Sequence, residues 1–86
     1  MPVEQAFLYG SYARNDANEN SDIDVLLVSD KISGDNLEAV GKIYRLAYPI
    51  DPRIEPYLVS KKRFLDQNVY STVIDAVRRE GIEIKA

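Results

Sequence analysis

A run of four aliphatic residues, Val25-Leu26-Leu27-Val28, opens on two acids, Asp22 and Asp24, and nothing else in the chain restricts the fold as much. The run is bounded by Ser29-Asp30 and reads as the strongest strand in the sequence. Strand side chains alternate, so Asp22 and Asp24 share one face, about 6.6–6.8 Å apart along the chain. Ile23 and Val25 are then expected on the other face, in the core beneath the helices. An isolated Asp-x-Asp reads most simply as a solvated strand edge. At the start of an otherwise apolar strand that reading weakens, because two uncompensated like charges are costly there.

Ten residues separate Asp22 from the pair Gly10-Ser11, which ends another apolar run, Ala6-Phe7-Leu8-Tyr9. Alone, Gly-Ser after a strand is an ordinary turn. Gly10 also permits a tight backbone approach, and Ser11 is a suitable N-cap for a short helix reaching about Asn15, whose N–H groups would favour a phosphate. Arg14 is placed either to reach a phosphate oxygen or to sit as a plain surface cation. Two carboxylates on one strand face can converge on one Mg²⁺, or on two ions about 3.5–4 Å apart. A phosphate-binding turn joined to a metal-binding strand is the chemistry of a nucleoside triphosphate.

Composition excludes several alternatives. The chain has no Cys and no His, so disulfides, thiolate zinc sites and histidine acid–base catalysis are absent. Its formal charge is −3, from 14 acidic and 11 basic residues, with no basic stripe, which argues against direct nucleic-acid binding. No segment approaches the ~20 apolar residues of a membrane span, and no secretory pattern opens the chain, so the expected location is cytoplasmic. At 86 residues a single domain spanning 1–86 is expected. A domain of that size has a thin stability margin, which favours a partner surface, a second copy or another protein.

The remaining elements follow from punctuation and period. Residues 15–21 are turn chemistry throughout. Ser33-Gly34-Asp35-Asn36 leads into a helix, with Asp35 as N-cap and Glu38 as its capping-box partner. Leu37, Val40, Ile43, Tyr44 and Ala47 form its apolar face, and Pro49 ends it. A third strand covers about 53–59, with Pro52 and Pro56 placing it at an edge or bulge. A last helix is expected over 64–80, with Leu65, Val69, Val73, Ala76 and Val77 inward and Gly81 as its stop. Ile82-Glu83-Ile84 adds a short tail strand. The sum is an α/β (α+β) domain, a small mixed sheet with helices packed mainly on one face. Of the six tyrosines, Tyr12 lies in the turn, suited to core packing or to stacking on a base.

At Gly10-Ser11-Tyr12-Ala13-Arg14 and Ser21-Asp22-Ile23-Asp24-Val25-Leu26-Leu27-Val28 the chain resembles the minimal nucleotidyltransferases of the DNA polymerase β superfamily, whose signature is Gly-Ser, ten residues, Asp-x-Asp. The segments Ile54-Glu55-Pro56-Tyr57-Leu58-Val59-Ser60 and Arg79-Glu80-Gly81-Ile82 also look like that family. The resemblance implies a polymerase β-like palm and a transfer of a nucleoside monophosphate, AMP from ATP above all, to an acceptor hydroxyl. It implies Asp22 and Asp24 as ligands of Mg²⁺, two ions in all, with Gly10, Ser11 and Arg14 on the nucleotide. It calls for a third carboxylate on a neighbouring strand, Glu55 by preference and Asp51 as the fallback. It further implies a protein acceptor, since such domains often serve as antitoxins of HEPN toxins. A domain that has lost catalysis and acts by contact alone is the competing expectation. Two departures stand out: Asn15 replaces a usual glycine, and only Met1-Pro2-Val3-Glu4-Gln5 precede the first strand, where the family usually carries a helix. An unusually short member or one that has lost an element is expected, with an uncovered sheet face or helix groove that would need a partner. Asn tolerates the left-handed backbone best after glycine, so the turn is expected to survive.

Overall fold

The computed structural model describes residues 3–32 and 35–85. Ser33 and Gly34, read above as part of the lead into a helix, lie outside the described residues, as do Met1, Pro2 and Ala86. In chain order the elements are β1 (Gln5–Tyr9), a 3-10 turn (Gly10–Tyr12), β2 (Ile23–Ser29), α1 (Leu37–Ala47), β3 (Ile54–Ser60), α2 (Lys61–Leu65), α3 (Thr72–Glu80) and β4 (Ile82–Glu83).

The strands form a mixed four-stranded sheet in the order β3-β2-β1-β4. β1 runs antiparallel to β2 and to β4, while β2 and β3 are parallel and joined through α1. The register sets Tyr9 opposite Asp24 and Phe7 opposite Leu26, and on the other side Glu55 beside Asp24 and Val59 beside Val28. β3 is an edge strand, where Pro56, lacking an N–H, is tolerated. The tail strand forms as expected, Ile84 N–H adding a bond to the Ala6 carbonyl at 2.8 Å.

The buried cluster is Leu26, Val28, Val59, Ile74 and Val77, with Phe7, Tyr9, Phe64 and Val73 packed against it. Phe7 and Phe64 stack with ring centres 5.4 Å apart. Leu26 and Val28 are fully buried, and strand alternation puts them on the same face as Asp24. The core beneath α2 and α3 therefore continues from the aspartate side of β2, whereas Ile23 and Val25 on the opposite face are only half-buried. This reverses the expected assignment of faces. The spacing of the two acids is indifferent to which face the helices cover, and only the chain path of α2 and α3 decides it. α1 runs along β3 and buries Ile43, and Leu58 is buried outside the main cluster.

Helix ends depart from expectation through local side-chain bonds. Asn36, not Asp35, caps α1, its Oδ1 accepting from Ala39 N–H at 3.1 Å. Leu37, at the helix start, is 81% exposed and does not join the apolar face. The last helix is two helices. Ser60 caps α2 through Arg63 N–H, Ser71 caps α3 through Ile74 N–H, and between them Asp66 accepts from Asn68 N–H. Such short polar side chains offer the backbone partners that compete with a continuous helix. The break rotates the inward face, so Leu65 is 62% exposed and Ile74, outside the expected set, is 1% exposed. Gly81 follows α3 with extended backbone rather than a left-handed turn. A Cβ there would strike the Val77 carbonyl and lie 2.9 Å from Val77 Cγ1, so glycine is required by space.

Ile74→Ala removes the centre of the contact between α3 and the sheet. It is expected to lower unfolding free energy by about 2–5 kcal/mol, measured by urea denaturation; a loss near zero would place the core elsewhere.

Candidate active site

The site lies where β1 ends, at the polar start of β2 and β3. Gly10 takes φ +78°, and a Cβ built on it would run into the Asp24 carboxylate, with Asp24 Cγ 3.2 Å away. Both space and backbone conformation thus require glycine directly after the strand residue that pairs with Asp24. The expected helix from Ser11 to Asn15 is instead a three-residue 3-10 turn. Ser11 sits inside it rather than capping it, Tyr9 precedes it without a side-chain cap, and so short a turn carries little dipole. Asn15 adopts φ 62°, so the position usually filled by glycine keeps its left-handed backbone.

Asp24 is half-buried, and no donor reaches its carboxylate among the described residues. Burial pushes its pKa up, and the negative charges of Asp22 and Glu55 push in the same direction. Burial next to this carboxylate also raises the Tyr9 hydroxyl to about 12, keeping it protonated. Asp22 is exposed and immediately precedes β2. Glu55 neighbours Asp24 in the parallel register, on the same face, and its Oε1 accepts from Tyr44 Oη at 3.1 Å. Among the described residues no group of three acids converges closely enough to form a ready metal cage. The donor chemistry nonetheless fits a hard cation: oxygen ligands only, a half-buried carboxylate without a donor, and like charges on either side.

Asp51, the alternative third acid, is committed elsewhere. Arg53 grips both its oxygens, Nη2 at 2.8 Å and Nε at 3.1 Å, and Arg53 N–H adds a bond at 2.9 Å. These bonds hold the Asp51 carboxyl down at about 2. Arg53 also donates to Tyr12 Oη at 3.0 Å and to the Glu19 carbonyl at 3.2 Å. Tyr12 therefore anchors the turn through its hydroxyl instead of entering the core. Arg14 is paired with Asp16 at 3.2 Å and with Glu80 at 2.8 Å, which leaves its Nη2 without a protein partner among the described residues. Ser11 Oγ is likewise unbonded among the described residues. Beside Glu55, Tyr44 lines a cleft of about 630 Å³ with Val40, Pro56, Tyr57, Leu58 and Arg63.

Sequence reasoning missed Arg53 and Glu80. Both act over 34–70 positions of separation, through single hydrogen bonds that leave no periodic trace. The Arg79-Glu80-Gly81 similarity was the one available signal for Glu80.

The sequence pattern of nucleotidyltransferase domains matches residues 1–79. The chain belongs to the nucleotidyltransferase domain family. A Methanocaldococcus jannaschii protein, named as a candidate protein adenylyltransferase, is 34% identical over 95% of this nucleotidyltransferase domain and 79% of its own length. A toxin–antitoxin crystal structure with AMP-PNP superposes with TM-score 0.66 at 22% identity, covering 96% of this chain. A mutant of the MntA–HpeT toxin–antitoxin complex superposes with TM-score 0.60 at 20% identity over 94% of this chain. At those identities the likeness concerns the fold. The domain spans 60% and 58% of the two matched chains.

With its pKa raised, Asp24 destabilises the fold while ionised, and protonation relieves that cost as pH falls through the raised value. Asp24→Asn is therefore expected to raise Tm in metal-free buffer at pH 7. The gap between native and variant should shrink on acidification toward pH 4. A thermal melt series in which Asp24→Asn is the less stable protein at pH 7 contradicts this electrostatic account.

Proposed function

We propose that the domain transfers AMP from ATP to a hydroxyl of a partner protein. The acceptor oxygen attacks the α-phosphorus, the bond between that phosphorus and the bridging oxygen breaks, and pyrophosphate leaves. The observation that carries this reading is the contact of Gly10 with the donor-free carboxylate of Asp24. It brings a tight turn directly against a carboxylate whose chemistry suits a cation.

Asp22 and Asp24 are the residues that would hold Mg²⁺, with Glu55 as third ligand once it turns from Tyr44. Bound there, the metal would offset the charge of the triphosphate. Ser11, with its unbonded hydroxyl, and the free Nη2 of Arg14 meet the outer phosphates. Gly10 serves through its shape, since its N–H is already bonded to Glu80. Glu55 accepts the proton of the incoming hydroxyl. The cleft beside it gives an acceptor side chain an approach along β3. Such catalysis is positioning and charge neutralisation, which suits a chain without histidine or cysteine.

The acceptor is a protein because the relative named for protein adenylyl transfer supports that class, and both structural neighbours are toxin–antitoxin complexes. A HEPN-type partner fits the resemblance, with a second copy of the chain as the other choice. Leu46, Tyr48 and Ile50, 58–79% exposed near the end of α1, supply apolar surface for such a contact. That surface also favours the second reading, a domain acting on its partner by contact alone.

ATP labelled at the α-phosphate, with Mg²⁺ and host lysate, separates the two readings. The native chain is expected to place label on one macromolecule, and Asp22→Asn/Asp24→Asn to lower that signal by at least about 100-fold. Equal labelling by a folded double variant refutes the assignment. No labelling by either protein moves the function to contact alone.

A further inference from the structure

Glu80 ends α3 and reaches back to the turn 70 positions earlier. Its Oε2 accepts Gly10 N–H at 2.8 Å and Arg14 Nη1 at 2.8 Å, while Arg79 lies 3.9 Å from Oε1. The side chain is only 15% exposed. We infer that Glu80 is the positioning residue of the triphosphate site, holding the Gly10–Ser11 turn and Arg14 in the arrangement that meets the phosphates. The inference rests on the nucleotide reading above and adds a residue to it.

Three observations carry it. The turn is too short to hold its own orientation and has no side-chain cap from Tyr9, so the Gly10 N–H bond to Glu80 fixes the plane of the peptide that enters it. Arg14 is half-exposed yet splinted on two sides, by Asp16 through Nε and by Glu80 through Nη1, which aims the remaining Nη2. An arginine already ordered loses less freedom on meeting a phosphate than a mobile one. Finally, Glu80 is itself firmly placed. Gly81 N–H closes onto the Val77 carbonyl at 2.8 Å, and the absent Cβ of Gly81 permits that closure. One carboxylate thus links the end of α3 to both phosphate-facing groups.

Two other roles are open to such a residue, and they give opposite results. A purely structural ion pair would leave nucleotide affinity unchanged in any folded variant. A carboxylate that occupies the phosphate position would compete with nucleotide, and its removal would tighten binding. Calorimetric titration of the purified chain with Mg²⁺ and AMP-PNP, on native protein, Glu80→Gln and Glu80→Ala, distinguishes them below each protein's Tm.

Positioning predicts weakening of about tenfold or more in Glu80→Ala, the loss of more than one hydrogen bond. It predicts partial rescue in Glu80→Gln, which keeps an acceptor for Gly10 N–H but not the charge for Arg14. Native-like affinity in a folded Glu80→Ala, or tighter binding, overturns the inference. Should Glu80→Ala fail to fold, native-like affinity in Glu80→Gln together with Arg14→Gln overturns it. A native chain that binds no AMP-PNP defeats the nucleotide reading and this inference with it, whereas native binding that ignores Glu80 defeats this inference alone.

Discussion

The contact of Gly10 with the carboxylate of Asp24 governs the arrangement of this domain. β1 and β2 pair so that Tyr9 faces Asp24, and the next residue must turn across the end of the sheet over that side chain. A left-handed backbone and the lack of room for a Cβ leave glycine as the residue that fits. The same contact shields Asp24 from water beside two other acids, which raises its pKa. An ionised carboxylate there costs stability, because burial and the neighbouring acids both disfavour its charge.

Two long-range ties keep the contact in place. Arg53, just ahead of β3, joins Tyr12, the Glu19 carbonyl and Asp51, so the start of β3 and the long turn before β2 move as one. Glu80 does the same from the other side, fastening the end of α3 to Gly10 and Arg14. The short turn between these anchors needs no helix of its own. The buried face of the sheet, from Leu26 and Val28 across to Ile74 and Val77, runs directly into the acidic end. Core packing and site geometry therefore share β2.

The parts of this plan legible in the sequence are those written in local chemistry. The alternation from Asp22 to Val28, the glycine after an apolar run, the left-handed tolerance of Asn15 and the edge position of a proline-bearing β3 each depend on one residue and its neighbours. Glu55 beside Asp24 was also readable, because it lies within the better strand segment, whereas parity alone puts Asp51 and Glu55 on one face. What stayed hidden depends on tertiary path. Which face of β2 the helices cover is fixed by where α2 and α3 run, not by the strand. The break between α2 and α3 hinges on Asp66 and Ser71 bonding to nearby backbone, which period counting passes over. Asn36 outcompeted Asp35 as a cap by a similar local bond. Arg53 and Glu80 find their partners only when the fold brings distant segments together.

The most direct test of the account is where a divalent ion binds. Titrating Mn²⁺ with AMP-PNP into the ¹⁵N-labelled chain broadens amide signals near the bound ion. The account predicts broadening centred on Asp22, Asp24 and Glu55 and reaching Gly10 and Ser11, lost in Asp22→Asn/Asp24→Asn. Broadening centred elsewhere, or unchanged in that variant, would contradict it.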